Sequence, residues 1–184
     1  MIRRTKNYFQ SWENIDLITI GTFAALIRVS GYLITICGGG LNPLAFILKN
    51  IMITCLMVVL CYKVNRFGVI TLYVTVTYLF SMILTGSVHI GLVTMLTCAL
   101  LADFVLHYGK RLNKAFAVLS GVIFYEITAK LSGFAVAALY SREEWKLMIF
   151  PLIAVSIGLL GSIIGLPFGI LLLKELRHAG IVRN

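Results

Sequence analysis

The chain is 184 residues long, 60% hydrophobic and only 12% charged, with sixteen Lys and Arg against seven Asp and Glu. A soluble domain is about 25% charged, so a soluble fold is excluded, and the apolar runs leave no length for a soluble catalytic domain. The net charge of +9 would suit nucleic acid, but the basic residues lie between apolar runs and not on a folded face, which excludes nucleic acid as a partner.

Six apolar stretches follow in chain order: Leu17–Cys37, Leu41–Tyr62, Val69–Gly86, Ser87–His107, Ala115–Tyr140 and Leu147–Leu173. Each is long enough to cross a hydrocarbon core, which takes about 20 helical residues. The expected fold is an all-α integral membrane bundle of six transmembrane helices, one domain over residues 1–184. Residues 1–16 are basic and polar and form a cytoplasmic or interfacial amino-terminal segment, with Tyr8, Phe9 and Trp12 at headgroup level. This is not read as a cleaved signal, because the first apolar run is too long and no small-residue cleavage site follows.

Gly38-Gly39-Gly40 before Asn42-Pro43 is a turn: glycine tolerates positive φ, and proline opens a helix. Residues Asn65 to Gly68 end the second span. The turn Thr85-Gly86-Ser87 is so short that the third and fourth spans form a tight antiparallel hairpin. Tyr108-Gly109-Lys110 stops the fourth span. The last span carries Gly158, Gly161, Gly165 and Gly169 at helical spacing, a face that lets a second backbone approach closely inside the bundle. The first span carries Gly21, Ala24 and Ala25, a small face open to a second subunit. Pro167 should kink the last span unless neighbours repair the lost hydrogen bond.

The connections alternate in charge. One set holds Arg3, Arg4, Lys6, Lys63, Arg66, Lys110, Arg111, Lys114, Lys174, Arg177 and Arg183; the other holds only Arg142 and Lys146, offset by Glu143 and Glu144. Basic connections stay cytoplasmic, so both termini, including the tail 174–184, are expected inside a bacterial cell membrane.

Charged groups within the spans are the best internal sign of function, since each costs roughly 2.5–3.5 kcal/mol at mid-membrane. They are Arg28, Lys49, Asp103, Glu126 and Lys130, with His89 near the outer start of the fourth span. Glu126 and Lys130 stand four apart and can pair. They are either a buried structural pair or part of an outward cavity with excess positive charge. Arg28 and Lys49 have no acidic partner in the outer half, and Asp103 falls on the cytoplasmic side. With Tyr32, Tyr140, His89 and Lys130, they compose an anion pocket. His107 and His178 belong to the inner surface. Cys37, Cys55, Cys61 and Cys98 form no C-x-x-C pair and read as small hydrophobes; Cys37, at a span end, could meet a metal.

These residues carry a family resemblance. Gly21-Thr22-Phe23-Ala24-Ala25-Leu26 resembles the alanine-rich patch that S components of energy-coupling-factor (ECF) transporters press against their coupling subunit. The stretch from Arg66-Phe67-Gly68 through Leu84-Thr85-Gly86 to Leu101-Ala102-Asp103 and Gly109 resembles the central block of the MptD-like group of S components. Relatives often place a histidine directly after the glycine matching Gly86, where this chain has Ser87 and then His89. The resemblance implies a subunit that captures a micronutrient and docks through Gly21, Ala24 and Ala25 on a membrane coupling subunit driven by two ATPase subunits.

The chain has no G-x-x-x-x-G-K-[ST] loop, no G-x-S-x-G and no H-E-x-x-H, so ATP is used only by partners and no enzymatic role is expected. No intrinsic cofactor is expected. The cations suit a carboxylated vitamin; heme suits them too, with propionates on the cations and His89 as axial metal ligand. The alternative is a non-transporting membrane scaffold of MreD-like type, which needs no ligand.

Overall fold

The computed structural model describes residues 12–38, 42–85, 91–111, 113–140 and 149–178, all helical apart from the turns that join the helices. Among the described residues six helices follow one another: α1 (Asn14–Cys37), α2 (Pro43–Lys63), α3 (Val69–Thr85), α4 (Leu92–Gly109), α5 (Lys114–Tyr140) and α6 (Ile149–His178). All but α3 are long and apolar enough to span a bilayer. The described part of α3, 17 residues, is close to the length a span needs. Helix α4 begins at Leu92, five residues later than Ser87; Gly86, Ser87 and His89, and with them the expected tight turn between α3 and α4, fall outside the described residues. Large side chains such as Ile83 and Ile36 are 80% and 76% exposed, the pattern of a surface solvated by acyl chains.

The helix ends are set locally. Asn42 caps α2 by accepting from the Leu44 N–H at 3.0 Å, and Pro43 takes the first helical position, where its missing N–H costs nothing. Gly38 closes α1, and its amide donates to Ile34 O at 2.8 Å; a Cβ there would sit 2.4 Å from Ala45 Cβ, so the α1–α2 hairpin needs glycine. Gly68 takes φ +88 just before α3, where a side chain would be strained. Helix α3 lacks a cap from its own sequence neighbours; Asp103, on α4, supplies one. Its carboxylate accepts from Ile70 N (3.1 Å), Thr71 N (2.9 Å) and Thr71 Oγ1 (2.7 Å) and is fully buried. A carboxylate at a helix amino end satisfies orphan donors and meets the positive pole of the helix.

The most extensive interface joins α2 to α6. Gly158 meets the Asn50 side chain, and Gly161, Gly165 and Gly169 meet Ile47, Ile51 and Val58 in rising order along both helices, so the two run parallel. The glycine face is therefore used inside the bundle, as the four-residue spacing anticipates. Helix α6 continues through Pro167 without a break.

One end of the bundle gathers the amino ends of α1, α3 and α5 with the carboxyl ends of α2, α4 and α6. Arg66 pairs there with Glu13 and Asp16, each at 3.0 Å. Lys114 and Arg177 cover the Tyr62 ring, 4.2 and 4.6 Å from its centroid. Lys63, Lys110, Arg111 and Lys174 share this basic end. Trp12 packs on the core over Gly68 and so does more than sit at headgroup level; Tyr8 and Phe9 are outside the described residues. The adjoining half is solid: Met57, Leu60, Cys61, Val69, Ile70, Ala102, Leu106, Val118 and Val122 are all buried in one cluster. The half farther from the basic end contains the void.

Candidate functional site

All six helices line a cavity of about 570 Å³, within the range that holds vitamin-sized ligands. Its walls come from the carboxyl half of α1, the amino half of α2, the middle of α3, the start of α4, the carboxyl half of α5 and the start of α6. It therefore lies in the half of the bundle remote from the basic end. Arg28, Tyr32, Lys49, Glu126 and Lys130, which the sequence singles out, all border it.

Lys49 is six residues from the start of α2, Arg28 nine from the end of α1, and Lys130 ten from the end of α5. At 1.5 Å per residue these are depths of about 9, 14 and 15 Å. Arg28 and Lys130 thus sit near mid-membrane. The aliphatic stem of Lys49 lies along α1 at Gly31, where a Cβ would be 3.5 Å from Lys49 Cε. Gly31 is one turn beyond Arg28 on the same helix, so the two cations share one wall.

Lys130 takes the structural alternative that its spacing from Glu126 left open. Its ammonium donates to Glu126 Oε2 at 2.5 Å, to Gly158 O at 3.0 Å and to Ser162 Oγ. The Ser162 hydroxyl lies 2.8 Å from the same Glu126 oxygen, and both Glu126 and Ser162 are buried. The wall formed by α5 and α6 is therefore a neutral, hydrogen-bonded network. Three acceptors satisfy the lysine, which is the condition under which a buried pair is tolerated.

Arg28 and Lys49 differ. Among the described residues neither has an ion-pair or hydrogen-bond partner, and Arg28 Nε is buried with its donor unused. Burying a cationic donor without a partner is expensive, at least about 1–3 kcal/mol for the lost hydrogen bond alone. Lys49 stands beside Arg28 on the same wall, and the two cations repel each other. Among the described residues nothing offsets this charge, so the wall is suited to receive water or an anion.

Several lining residues carry no signal in a charge count. Tyr73, Tyr78 and Tyr125 border the cavity with Asn50, Thr77 and Phe134. Tyrosines in mid-span, away from the interfacial belts where they usually sit, are the sequence sign that could have found them. They add flat apolar walls and hydroxyls to the two charges.

The remaining expected site residues stand apart from this group. His89 and the side chain of Tyr140 lie outside the described residues. Ala24 is 0% exposed within the core cluster, so it cannot belong to a docking face: α1 turns it toward the bundle. Gly21 has no atom within 4 Å of where its Cβ would be, and Ala25 is half-buried. His107 packs edge-on against Phe67 at 5.7 Å. Cys37 is exposed, and no group of three His, Cys, Asp or Glu side chains gathers among the described residues.

The chain belongs to the Trep_Strep family of hypothetical bacterial integral membrane proteins, whose model matches residues 15–146. No curated protein matches the chain, and no solved structure matches it. Family and helices together make this a multi-pass bacterial membrane protein.

Proposed function

We propose that this Trep_Strep protein is the substrate-capture subunit of an ECF-type importer and binds an anionic micronutrient in the six-helix cavity. The supporting observation is the pair Arg28 and Lys49, two cations without partners among the described residues, facing one void. A membrane chain keeps such charges only where they face protein, water or a ligand. If the basic end is cytoplasmic, as basic connections require, the void lies in the outer half and meets substrate from outside.

In this reading the solid half beneath the cavity blocks passage. A ligand bound at Arg28 and Lys49 crosses only if the whole subunit reorients. ATP hydrolysis, for which the chain has no phosphate loop, comes from two ATPase subunits acting through a coupling subunit. Gly21 and Ala25, on the lipid side of α1, are the small positions left for that contact once Ala24 is assigned to the core. A carboxylated vitamin uses the cations alone. Heme would add His89 as an axial ligand, and only heme would give a Soret band that shifts in His89→Ala. A scaffold of MreD-like type has no use for two uncompensated cations around a void.

The experiment is purification of the chain from its own bacterium's membranes in mild detergent. The expected result is recovery with a coupling subunit and two ATPases, lost in Ala25→Leu while the variant itself remains folded. Recovery of the wild-type chain alone, with an empty cavity, would overturn the importer reading.

A further inference from the structure

We infer that the ligand carries a compact dianionic head, a phosphate monoester or two vicinal carboxylates, held at the α1–α2 wall by Arg28 and Lys49 together. This deepens the capture reading and rests on it. Three cations and one carboxylate are the charged groups among the described cavity residues, which leaves a net +2. The excess is not spread round the cavity. Lys130 and Glu126 cancel each other on the far wall, with Ser162 completing the network. The whole surplus stands on one wall, where Lys49 lies along α1 one turn from Arg28.

Charge balance then selects the ligand. A monoanion would leave one cation buried and unmatched beside its neighbour. A dianion with its charges at opposite ends would place the second charge against the Glu126 network, where no free cation waits. A dianion with both charges at one end neutralises both groups and their mutual repulsion. The unused Nε–H of Arg28 supplies one edge of the planar fork that matches phosphate and carboxylate oxygens in pairs. Tyr73, Tyr78, Tyr125 and Phe134 face the same space, so the body behind the head is flat and at least partly aromatic.

The test measures binding of four aromatic probes to the full chain in detergent, by ligand-observed NMR at about pH 7.5, where a phosphate monoester is dianionic. The probes are phenyl phosphate, phthalate, benzoate and terephthalate, with benzyl alcohol as the uncharged reference. Phenyl phosphate, phthalate or both should bind at least about tenfold more tightly than benzoate, a difference of about 1.4 kcal/mol. Terephthalate should bind no better than benzoate. Whichever of the first two is tighter identifies the head. Arg28→Gln and Lys49→Gln should each abolish the preference while binding of benzyl alcohol persists, which shows an intact cavity. Benzoate binding as tightly as phenyl phosphate would overturn the dianion and leave anion capture standing. Terephthalate matching phthalate would overturn the one-wall placement. If no anion binds better than benzyl alcohol, the dianion and the capture reading both fall.

Discussion

Lys130 shows how a charge near mid-membrane can be either structural or functional, depending on one partner. Its distances to Glu126 and Gly158, with Ser162 beside them, make it part of the packing of α5 on α6. Removing one member should therefore hurt more than removing both. Lys130→Met leaves the Glu126 carboxylate buried with no cation and is expected to cost about 3–5 kcal/mol. Lys130→Met combined with Glu126→Gln should recover most of that loss, as read from melting midpoints in a double-mutant cycle. The spacing of Glu126 and Lys130 made this pair legible in sequence. Ser162, on another helix, was not, because nothing in a linear chain says which face of α6 meets α5. Asp103 is the same lesson in a second place. Its charge was visible, but its task of capping α3 through Ile70 and Thr71 depends on a contact between elements.

At the scale of the helix, the glycines of α6 and the small residues of α1 look alike in sequence and behave differently. A Cβ on Gly165 would lie 2.9 Å from Ile51 O, a backbone atom that cannot swing aside; one on Gly21 would meet nothing within 4 Å. Gly165→Ala should then force α2 and α6 apart and destabilise by about 1–3 kcal/mol. Gly21→Ala should be neutral or stabilising by up to about 1 kcal/mol, since alanine is the better helix former. Thermal unfolding of the two variants side by side separates them. The repeat of four told which face was small but not which partner it met. Helix α3 keeps its predicted start at Val69 and runs to the last described residue before Gly86; what the sequence did not show is that Asp103 caps its amino end. The fourth span was expected from Ser87, and α4 begins at Leu92, directly after Gly91.

The whole molecule has two halves of different character: a solid half at the basic end and a hollow one away from it. Hydropathy and charge spacing foretold six helices and the clustering of Lys and Arg, because both are one-dimensional signals. They did not foretell the hollow, which depends on which side chains fill the space between helices. The proposed orientation rests on the charges alone and can be tested directly. Cys37 is exposed and lies at the end of α1 remote from the basic residues, while Cys55 and Cys61 are buried. A membrane-impermeant maleimide should label Cys37 in intact cells and leave a Cys37→Ser control unlabelled. A cysteine introduced by His178→Cys, at the exposed end of α6, should react only after the membrane is opened. The reverse pattern would turn the cavity toward the cytoplasm.

The central claim is that Arg28 and Lys49 hold a negatively charged molecule between the six helices. Native mass spectrometry of the full chain, released gently from detergent, tests it most directly. The wild-type protein should carry a small anionic adduct that disappears in the Arg28→Gln, Lys49→Gln double variant. A wild-type spectrum showing only the bare chain, or an adduct equally retained by the double variant, would contradict it.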